Sequence, residues 1–472
     1  MDGLECSEIK ISALELTKRI DSEYYRKLFL DYDTCVQSIP NKLLGCISNF
    51  LIGPFGSAYN TDNYVETSPY RYVRGQDVKP FVLKDIEPKY IAENDYARLS
   101  KYALKEKDIL VSVVGTLGNA CIVRDRDIPA IFSCKSTVIR TTVLSPEYLV
   151  TYLNCKYGRQ LLLRKERGAI QKGLNLDDLK SLLVPLFSDK LDCAIGGVIT
   201  LADTKLDSSK KIYVEAEQLL LSALGMTNFA PTEHPVSVKS ISESFVKSGR
   251  LDAEYYQPKY DKLFDVLSKC QTKPLGGILG VVDIKKSIEP GSSLYQSEGI
   301  PFIRVSDVTK FGISEPEIHL PVDVVPNALD LCPQKDTILF SKDGSVGIAY
   351  KIEHDSQLIT SGALLHLTVR NKAEVLPGYL TLVLNSIVVQ LQAERDSSGA
   401  IIQHWKPSEV EKVVIPILDM DIQREISSKV QESFALRQQS EQLLENAKRA
   451  VEIAIEQGER KAVEWLQDKV VM

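Results

Sequence analysis

Along most of this chain, apolar and polar positions change in short β-type runs, which give way twice to long helical stretches. Residues 11–36 read as a helical lead-in with Arg19, Glu23 and Lys27 on one face. Pro40 and Gly45 then open a different texture that lasts to about Pro185. Within it, Ile109-Leu110-Val111-Ser112-Val113-Val114 predicts a strand closed by Gly115 and Gly118, and 121–123 and 137–140 predict further strands. A helix is expected over 146–163, opened by Ser145-Pro146-Glu147. Short strands and helices in mixed order point to an α+β module. Residues 188–226 change period: Ile212, Ala216, Leu219 and Ala223 recur at 4-3-4 spacing between Lys210, Lys211, Glu215 and Glu217, the pattern of a long amphipathic helix. Gly196-Gly197 near its start predicts a kink or a late start, ahead of a close helix crossing. Gly225, Pro231 and Pro235 end the helix in a linker.

The whole pattern then repeats. Arg19-Ile20-Asp21-Ser22-Glu23-Tyr24-Tyr25 returns as Arg250-Leu251-Asp252-Ala253-Glu254-Tyr255-Tyr256, and Tyr72-Val73-Arg74-Gly75-Gln76-Asp77-Val78 as Phe302-Ile303-Arg304-Val305-Ser306-Asp307-Val308. Gly168-Ala169-Ile170 through Leu183-Val184-Pro185-Leu186 returns as Gly399-Ala400-Ile401 through Val414-Ile415-Pro416-Ile417. The offset is about 230 residues throughout, which is a duplicated domain and not a solenoid of small repeats. A second lead-in helix is expected over 250–267, a second mixed module over 271–416 and a second long helix over 419–467. That last helix carries a seam of Ile426, Val430, Leu444, Ala447, Val451 and Ala454, interrupted by Ser433, Arg437 and Ser440. Glu217-Gln218-Leu219-Leu220 matches Glu441-Gln442-Leu443-Leu444 across the two helices. The expected fold is α+β: a pseudo-twofold duplicated chain of two similar modules separated by two long antiparallel helices. The expected boundaries are 1–187, 188–235, 236–416 and 417–472. A helix of about 38 residues is ~57 Å long, on the order of 15 base pairs of B-DNA.

Composition narrows the class. Apolar content of 44% and charged content of 25% belong to a globular protein. No apolar run approaches the roughly 18 residues of a membrane span, so no membrane partner is expected. Nine scattered cysteines with no C-x-x-C pair fit neither a disulfide framework nor a zinc site, and are read as thiols in a reducing cytoplasm. The net charge of −6 argues against coating nucleic acid by bulk attraction, though not against a local basic face. Residues 40–187 carry a surplus of about six basic side chains and residues 271–416 a surplus of about four acidic ones, so two modules on one polyanion would share the electrostatics unequally.

Catalytic patterns are missing. There is no G-x-x-x-x-G-K-[ST], H-E-x-x-H or G-x-S-x-G, and no Asn-Pro-Pro-Tyr or Asp-Pro-Pro-Tyr of the kind amino-methyltransferases use. His234, His319, His354, His366 and His404 lack metal-ligand spacing and are read as structural or surface residues. Recognition has better candidates. The pairs Gly115-x-x-Gly118 and Gly344-x-x-Gly347 follow a strand in each copy, as tight turns needing positive φ or as loops approaching a phosphate or base edge. Polar loops run from Gly53 to Thr61 and from Lys285 to Ser293. A third segment pairs Gly168-Ala169-Ile170-Gln171-Lys172 with Gly399-Ala400-Ile401-Ile402-Gln403-His404-Trp405-Lys406. Its Gln and Lys side chains can read base edges, and Trp405 either joins that cluster or caps the core.

Together these landmarks resemble the DNA-specificity subunit of type I restriction–modification systems. The carriers are the Arg-Leu-Asp-Ala-Glu-Tyr-Tyr-Gln-Pro-Lys-Tyr lead-in at 250–260 and Pro-Phe-Ile-Arg-Val-Ser-Asp-Val at 301–308. To these add Asp336-Thr337-Ile338-Leu339-Phe340-Ser341 running into a glycine turn, and the Val-Pro-Leu and Ile-Pro-Ile endings before the long helices. The resemblance implies that each module is a target-recognition domain reading one half of a split, asymmetric site on double-stranded DNA. It implies that the helices space the domains and dock two methyltransferase subunits, which methylate adenine N6 with S-adenosylmethionine after turning the base out of the stack. It also implies ATP-dependent restriction/translocase subunits that use ATP and Mg, and a chain that is itself non-catalytic, holding no cofactor and no metal.

On this reading the candidate DNA contacts in the first module are Ser57, Tyr59, Arg74, Gln76, Thr116, Gln171 and Lys172. In the second they are Lys286, Ser292, Arg304, Ser306, Lys342, Ser345, Gln403, His404 and Lys406; Arg74 and Arg304 have bracing the fold as their alternative. Candidate partner contacts are Ile212, Ala216, Leu219, Leu444, Ala447 and Val451. Two other classes stand beside this one: a self-contained nuclease with an unrecognised acidic cluster, and a pure protein-interaction scaffold.

Overall fold

The run at 109–112 shows no polar alternation because its strand is buried on both faces. In the computed structural model, which describes residues 5–470 except 13, 15–18, 55, 85–86, 169–171, 232–235, 323–327 and 400–402, that strand is central to a four-stranded antiparallel sheet. The chain divides into two units. The first comprises residues 1–205 with 438–472, the second residues 206–437, so each unit holds one module and a stretch of each long helix.

In the first unit, β1 (Asn41–Leu43) pairs with β9 (Leu183–Pro185), closing the module where the chain enters and leaves it. The larger sheet has the order β2 (Ser48–Ile52), β8 (Ser136–Thr141), β5 (Ile109–Ser112), β6 (Ala120–Ile122). The smaller one has the order β4 (Lys89–Tyr90), β3 (Arg71–Val73), β7 (Ala130–Phe132), with β3 and β7 parallel.

The second unit repeats this. Its neck is β10 (Thr272–Pro274) against β20 (Val414–Pro416). Its larger sheet runs β11 (Val282–Lys286), β19 (Leu364–Val369), β16 (Ile338–Ser341), β17 (Ala349–Lys351). Its smaller sheet runs β15 (His319–Leu320), β12 (Ile300–Ile303), β18 (Ile359–Thr360). Its β13 (Val308–Thr309) and β14 (Gly312–Ile313) form a hairpin where the first unit has the single antiparallel bridge of Val78 with Leu83.

The duplication extends to individual hydrogen bonds between distant residues. Tyr148 donates its hydroxyl to the Pro185 carbonyl at 3.0 Å, and Tyr379 to that of Pro416 at 2.8 Å. Asn154 and Asn385 each donate an amide to a strand carbonyl, Ala120 and Ala349, at 2.8 Å. Arg164 lies over the Tyr24 ring and Arg395 over Tyr255. Buried polar groups cost free energy unless paired, so each repeated bond fixes a helix on its sheet at one position.

Several elements depart from what periodicity predicts. The lead-in is not one helix over 11–36: a 3-10 turn at Ser22–Tyr25 precedes a helix at Lys27–Gln37, with Arg26 extended at ψ 141°. The Arg19–Asp21 ion pair and the Tyr25 hydroxyl, donated to the Arg19 carbonyl at 3.1 Å, hold an extended segment that a helix would break. The same contacts recur at Arg250, Asp252 and Tyr256. The expected helix 146–163 is two, Pro146–Asn154 and Lys156–Leu163, because Cys155 is extended. The second turns back so tightly that a Cβ at Gly158 would stand 2.0 Å from the Tyr152 carbonyl oxygen.

The first long helix, Asp189–Ala223, runs through Gly196-Gly197 without the expected break, and nothing lies within 4 Å of a Cβ at either glycine. The second, Met420–Gln457, stops at Gly458, whose φ of 92° leaves the helical region, and a further helix follows at Glu459–Val470.

Within each unit the two long helices run antiparallel. In the first, Ser188 donates its backbone amide to Glu459 and Ser440 its hydroxyl to the Ala202 carbonyl at 2.6 Å. In the second, Ser433 donates to the Ser209 carbonyl at 2.8 Å and Lys429 to Glu215 at 2.9 Å. The serines that break the apolar seam are thus short side chains bonding the facing backbone. Seam residues Ala216, Ala447 and Val451 are fully buried in the cores of their own units. That corrects their assignment as partner contacts, since their apolar surface is spent inside the chain. Ile212, Leu219 and Leu444 keep partial exposure.

Module and helix are clasped differently in the two units. Arg124 and Arg126 reach Asp203 at 3.4 and 2.7 Å in the first. In the second, Phe311 at the tip of the β13–β14 hairpin packs on Tyr213 and Phe434 under the Arg437 guanidinium, while Lys310 reaches Glu217 at 3.3 Å.

Replacing Tyr148 or Tyr379 by Phe removes one buried hydrogen bond and is expected to lower stability by about 1 kcal/mol in each case. The losses should add in the double variant, since the sites lie in separate units. Urea denaturation of the full chain reads both.

Candidate nucleic-acid interface

The two glycine turns are built from inside. Ser112, wholly buried at the end of β5, donates its hydroxyl to the Thr116 carbonyl and accepts the Asn119 amide at 3.1 Å. Ser341, at the end of β16, donates to the Ser345 carbonyl at 2.5 Å and accepts the Ile348 amide at 2.8 Å. With the serine occupying the inside of the loop, the chain reverses through Gly115 and Gly118 at φ 87° and 74°, and through Gly344 and Gly347 at 74° and 87°. The glycines are required by the turn itself, and the turn lifts Thr116 and Ser345 into solvent.

A hairpin from much later in the sequence is stitched to each turn. In the first unit Arg167 pairs with Gly173, and Leu174 donates its amide to the Val113 carbonyl at 2.9 Å. In the second Ser398 pairs with His404, Trp405 donates to the Lys342 carbonyl at 2.7 Å, and Gly344 donates to that of Gln403 at 2.9 Å. Trp405 is 1% exposed and packs on Phe340, so it caps the core and anchors the hairpin instead of joining a contact cluster.

A third segment links these parts to the polar loop before the smaller sheet. Ser133 donates its amide to the Val73 carbonyl, and Lys135 accepts the Val113 amide. Gly53 passes so close that a Cβ there would lie 2.3 Å from the Ser133 carbonyl oxygen. In the second unit Ser361 donates to Ile303, Gly362 to Ile288, and Ala363 accepts from Lys342. Sequence reasoning missed this hub. Its only signal is the polar Ser133-Cys134-Lys135 break between two strands, and it contributes an exposed cation, Lys135.

In the first unit, Ser57, Tyr59, Arg74, Gln76 and Thr116 line one hollow of about 790 Å³ together with Tyr64, Tyr72 and Lys135. Tyr59, expected as a DNA contact, does not face solvent: it is 5% exposed and stacks on Tyr72 at 5.0 Å, walling the hollow. Burial pushes its phenol up to about 12. Arg74 braces, giving Asp77 two hydrogen bonds of 3.0 and 2.8 Å and another to the Glu87 carbonyl. Asp77 is 1% exposed, and its bond to the guanidinium raises the pKa of Arg74. Lys172 lies exposed outside the hollow in an ion pair with Glu166, and Gln171 falls outside the described residues.

In the second unit, Lys342, Ser345, Gln403 and His404 are brought together. Asp343 pairs with Lys342 and, at 2.8 Å, with Nδ1 of His404. Lys286 is exposed at the end of β11, and Ser292 opens a 3-10 turn on the adjoining loop. Arg304 braces Asp307 at 3.3 Å as Arg74 does Asp77, while Ser306 is exposed and donates to the same carboxylate at 3.0 Å. Lys406 stands apart, exposed at the start of a short helix, 3.7 Å from Glu409. His366 lies inside the sheet, hydrogen-bonded to Thr360 at 2.8 Å, and burial with the nearby Lys285 charge pushes it down to about 4. Among the described residues, no cluster of His, Cys, Asp or Glu is placed to hold a metal ion, and no helix is long and apolar enough to cross a membrane.

Ser112→Ala and Ser341→Ala are expected to loosen the turns, because the amides of Asn119 and Ile348 lose their acceptor. Hydrogen exchange at those two amides should quicken about tenfold or more, with the sheet strands unaffected.

No family model and no curated protein matches the chain. Among solved structures, it is similar to the S subunit of a type I restriction–modification system from M. genitalium, with 15% identity and a TM-score of 0.37 over 90% of this chain and 95% of that one. It is similar to a chain from a study of complex assembly and conformational transition in the type I R-M system, with 17% identity and a TM-score of 0.29 over 90% and 97%. It is also similar to the HsdS subunit from Thermoanaerobacter tengcongensis, with 18% identity and a TM-score of 0.29 over 89% and 96%.

Proposed function

We propose that this chain is the DNA-specificity subunit of a type I restriction–modification complex. The observation that carries the reading is a repeated frame with unlike tips. In both units a glycine turn, a late hairpin and a hub segment are joined by equivalent backbone hydrogen bonds. The side chains they present differ: Thr116, Lys135 and Lys172 in one, Ser345, Gln403 and His404 in the other. Two readers of two different half-sites need a common scaffold and different exposed donors and acceptors.

On this reading the chain performs no chemistry and works in the cytoplasm. Its partially exposed helix residues Ile212, Leu219 and Leu444 contribute to docking two methyltransferase subunits. Those partners supply S-adenosylmethionine chemistry, and ATP-dependent restriction/translocase subunits use ATP and Mg. The expected domain boundaries are 1–187 and 236–416 for the modules, with the helical segments 188–235 and 417–472 between and after them.

Mapping adenine methylation across the genome, in cells with the neighbouring methyltransferase and with or without this chain, tests the proposal. A split motif methylated only when the chain is present is the expected result. Absence of any chain-dependent motif would favour a protein-interaction scaffold. Gln403→Ala with His404→Ala should relax one half of the motif and leave the other intact. Lys135→Ala should weaken duplex binding and reduce the salt slope of the association constant by about one.

A further inference from the structure

The hollow in the first unit has a lining that side-on reading of a duplex does not require. Groove readers present donors and acceptors on exposed tips. This hollow has an aromatic wall: Tyr59 is 5.0 Å from Tyr72 and 5.8 Å from Tyr64, and Tyr64 is 5.7 Å from Tyr72, ring centre to ring centre. At about 790 Å³ it falls within the range of small-molecule sites. Its rim carries Ser57, Asn60, Thr61, Gln76 and Thr116, all exposed, with the Lys135 ammonium beside them. The Tyr59 hydroxyl is buried without a hydrogen-bond partner among the described residues. Buried hydroxyls are ordinarily satisfied, but this one lies behind the wall, closed off from the hollow, so recognition falls to the ring faces and the rim.

The second unit keeps the frame and loses this chemistry. Tyr72 corresponds to Phe302, and Tyr64 to Tyr295, with the two rings again 5.6 Å apart. The position of Tyr59 is taken by Pro290. Both hydroxyls of the deep wall are therefore absent in that copy, so they are not needed to fold the module.

We propose that the hollow takes one nucleobase turned out of the duplex, within the half-site engaged by the first module. The base packs against the Tyr64 ring, its edge meets the rim side chains of Asn60, Gln76 and Thr116, and Lys135 neutralises its phosphate. Aromatic walls hold unstacked bases in this way. This inference rests on the DNA-reading function and adds to it a position recognised outside the helix.

The test uses the full chain and duplexes bearing the split motif, with each base pair of the first half-site changed in turn to a mismatch or an abasic partner. A base that leaves the stack gives up its pairing, so removing its partner lowers the cost. One position should therefore bind about tenfold more tightly when unpaired, while every base read in place binds more weakly. Tyr64→Ala should abolish that gain, Tyr64→Phe with its ring retained should keep it, and both should leave the mismatch profile of the second half-site unchanged. Duplex binding in which every first-half mismatch weakens affinity overturns the pocket and leaves the DNA-reading function standing. A gain that survives Tyr64→Ala also overturns the pocket, since another site, such as a partner's, would then hold the base. No duplex binding, with or without the methyltransferase subunits, overturns the reading and the pocket together.

Discussion

A serine hydroxyl with no access to water must find both its partners inside the protein, and at the end of each central strand it finds them in the turn that follows. Ser112 and Ser341 thereby set where the glycine turns reverse. The late hairpins are hydrogen-bonded to those turns, and the hub segments to the same strand ends. The exposed side chains are three steps removed from the sheet, but each step is a backbone hydrogen bond or a buried contact. Loops arranged in this way hold their shape while their outward residues change.

The two copies show what that arrangement tolerates. The strand order of each sheet, the parallel pair in the smaller sheet, the tyrosine bonds to Pro185 and Pro416 and the arginine–tyrosine stacks are common to both. The contents of the loops are not. An aromatic hollow stands in one unit where the other has Pro290 and Phe302. An ion-paired Lys342–Asp343–His404 group stands where the other has Val113, Val114 and Gly173.

The duplication and both long helices were legible because apolar periodicity over many residues survives local exceptions. The exceptions were not legible, for reasons that lie in single residues. Arg19 and Asp21 fit a helix by propensity, and only their pairing with each other shows that the segment is extended. Gly196 and Gly197 lower helix propensity, yet a helix of this length packed on its neighbour absorbs the cost. At the candidate interface, five of the chosen first-module residues share one hollow, because the duplicated motifs mark the loop ends. Tyr59 and Arg74 were chosen for chemistry that suits a surface, but one is turned inward by Tyr72 and the other held by Asp77. Lys135 was missed because nothing in its local sequence shows that three loops converge there. The seam residues Ala216, Ala447 and Val451 looked available because periodicity reports an apolar face without saying what covers it.

The paired necks have a consequence for inheritance. Asn41 faces Pro185 and Thr272 faces Pro416, so the chain enters and leaves each module through one short antiparallel ladder. The segment between the two neck strands is joined to the rest of the chain by this ladder, and by side-chain clasps such as Arg124 and Arg126 on Asp203. A genetic crossover that falls in the neck therefore transplants both sheets and the loops between them together. Both flanking helices keep their residues and their pairing within the chain.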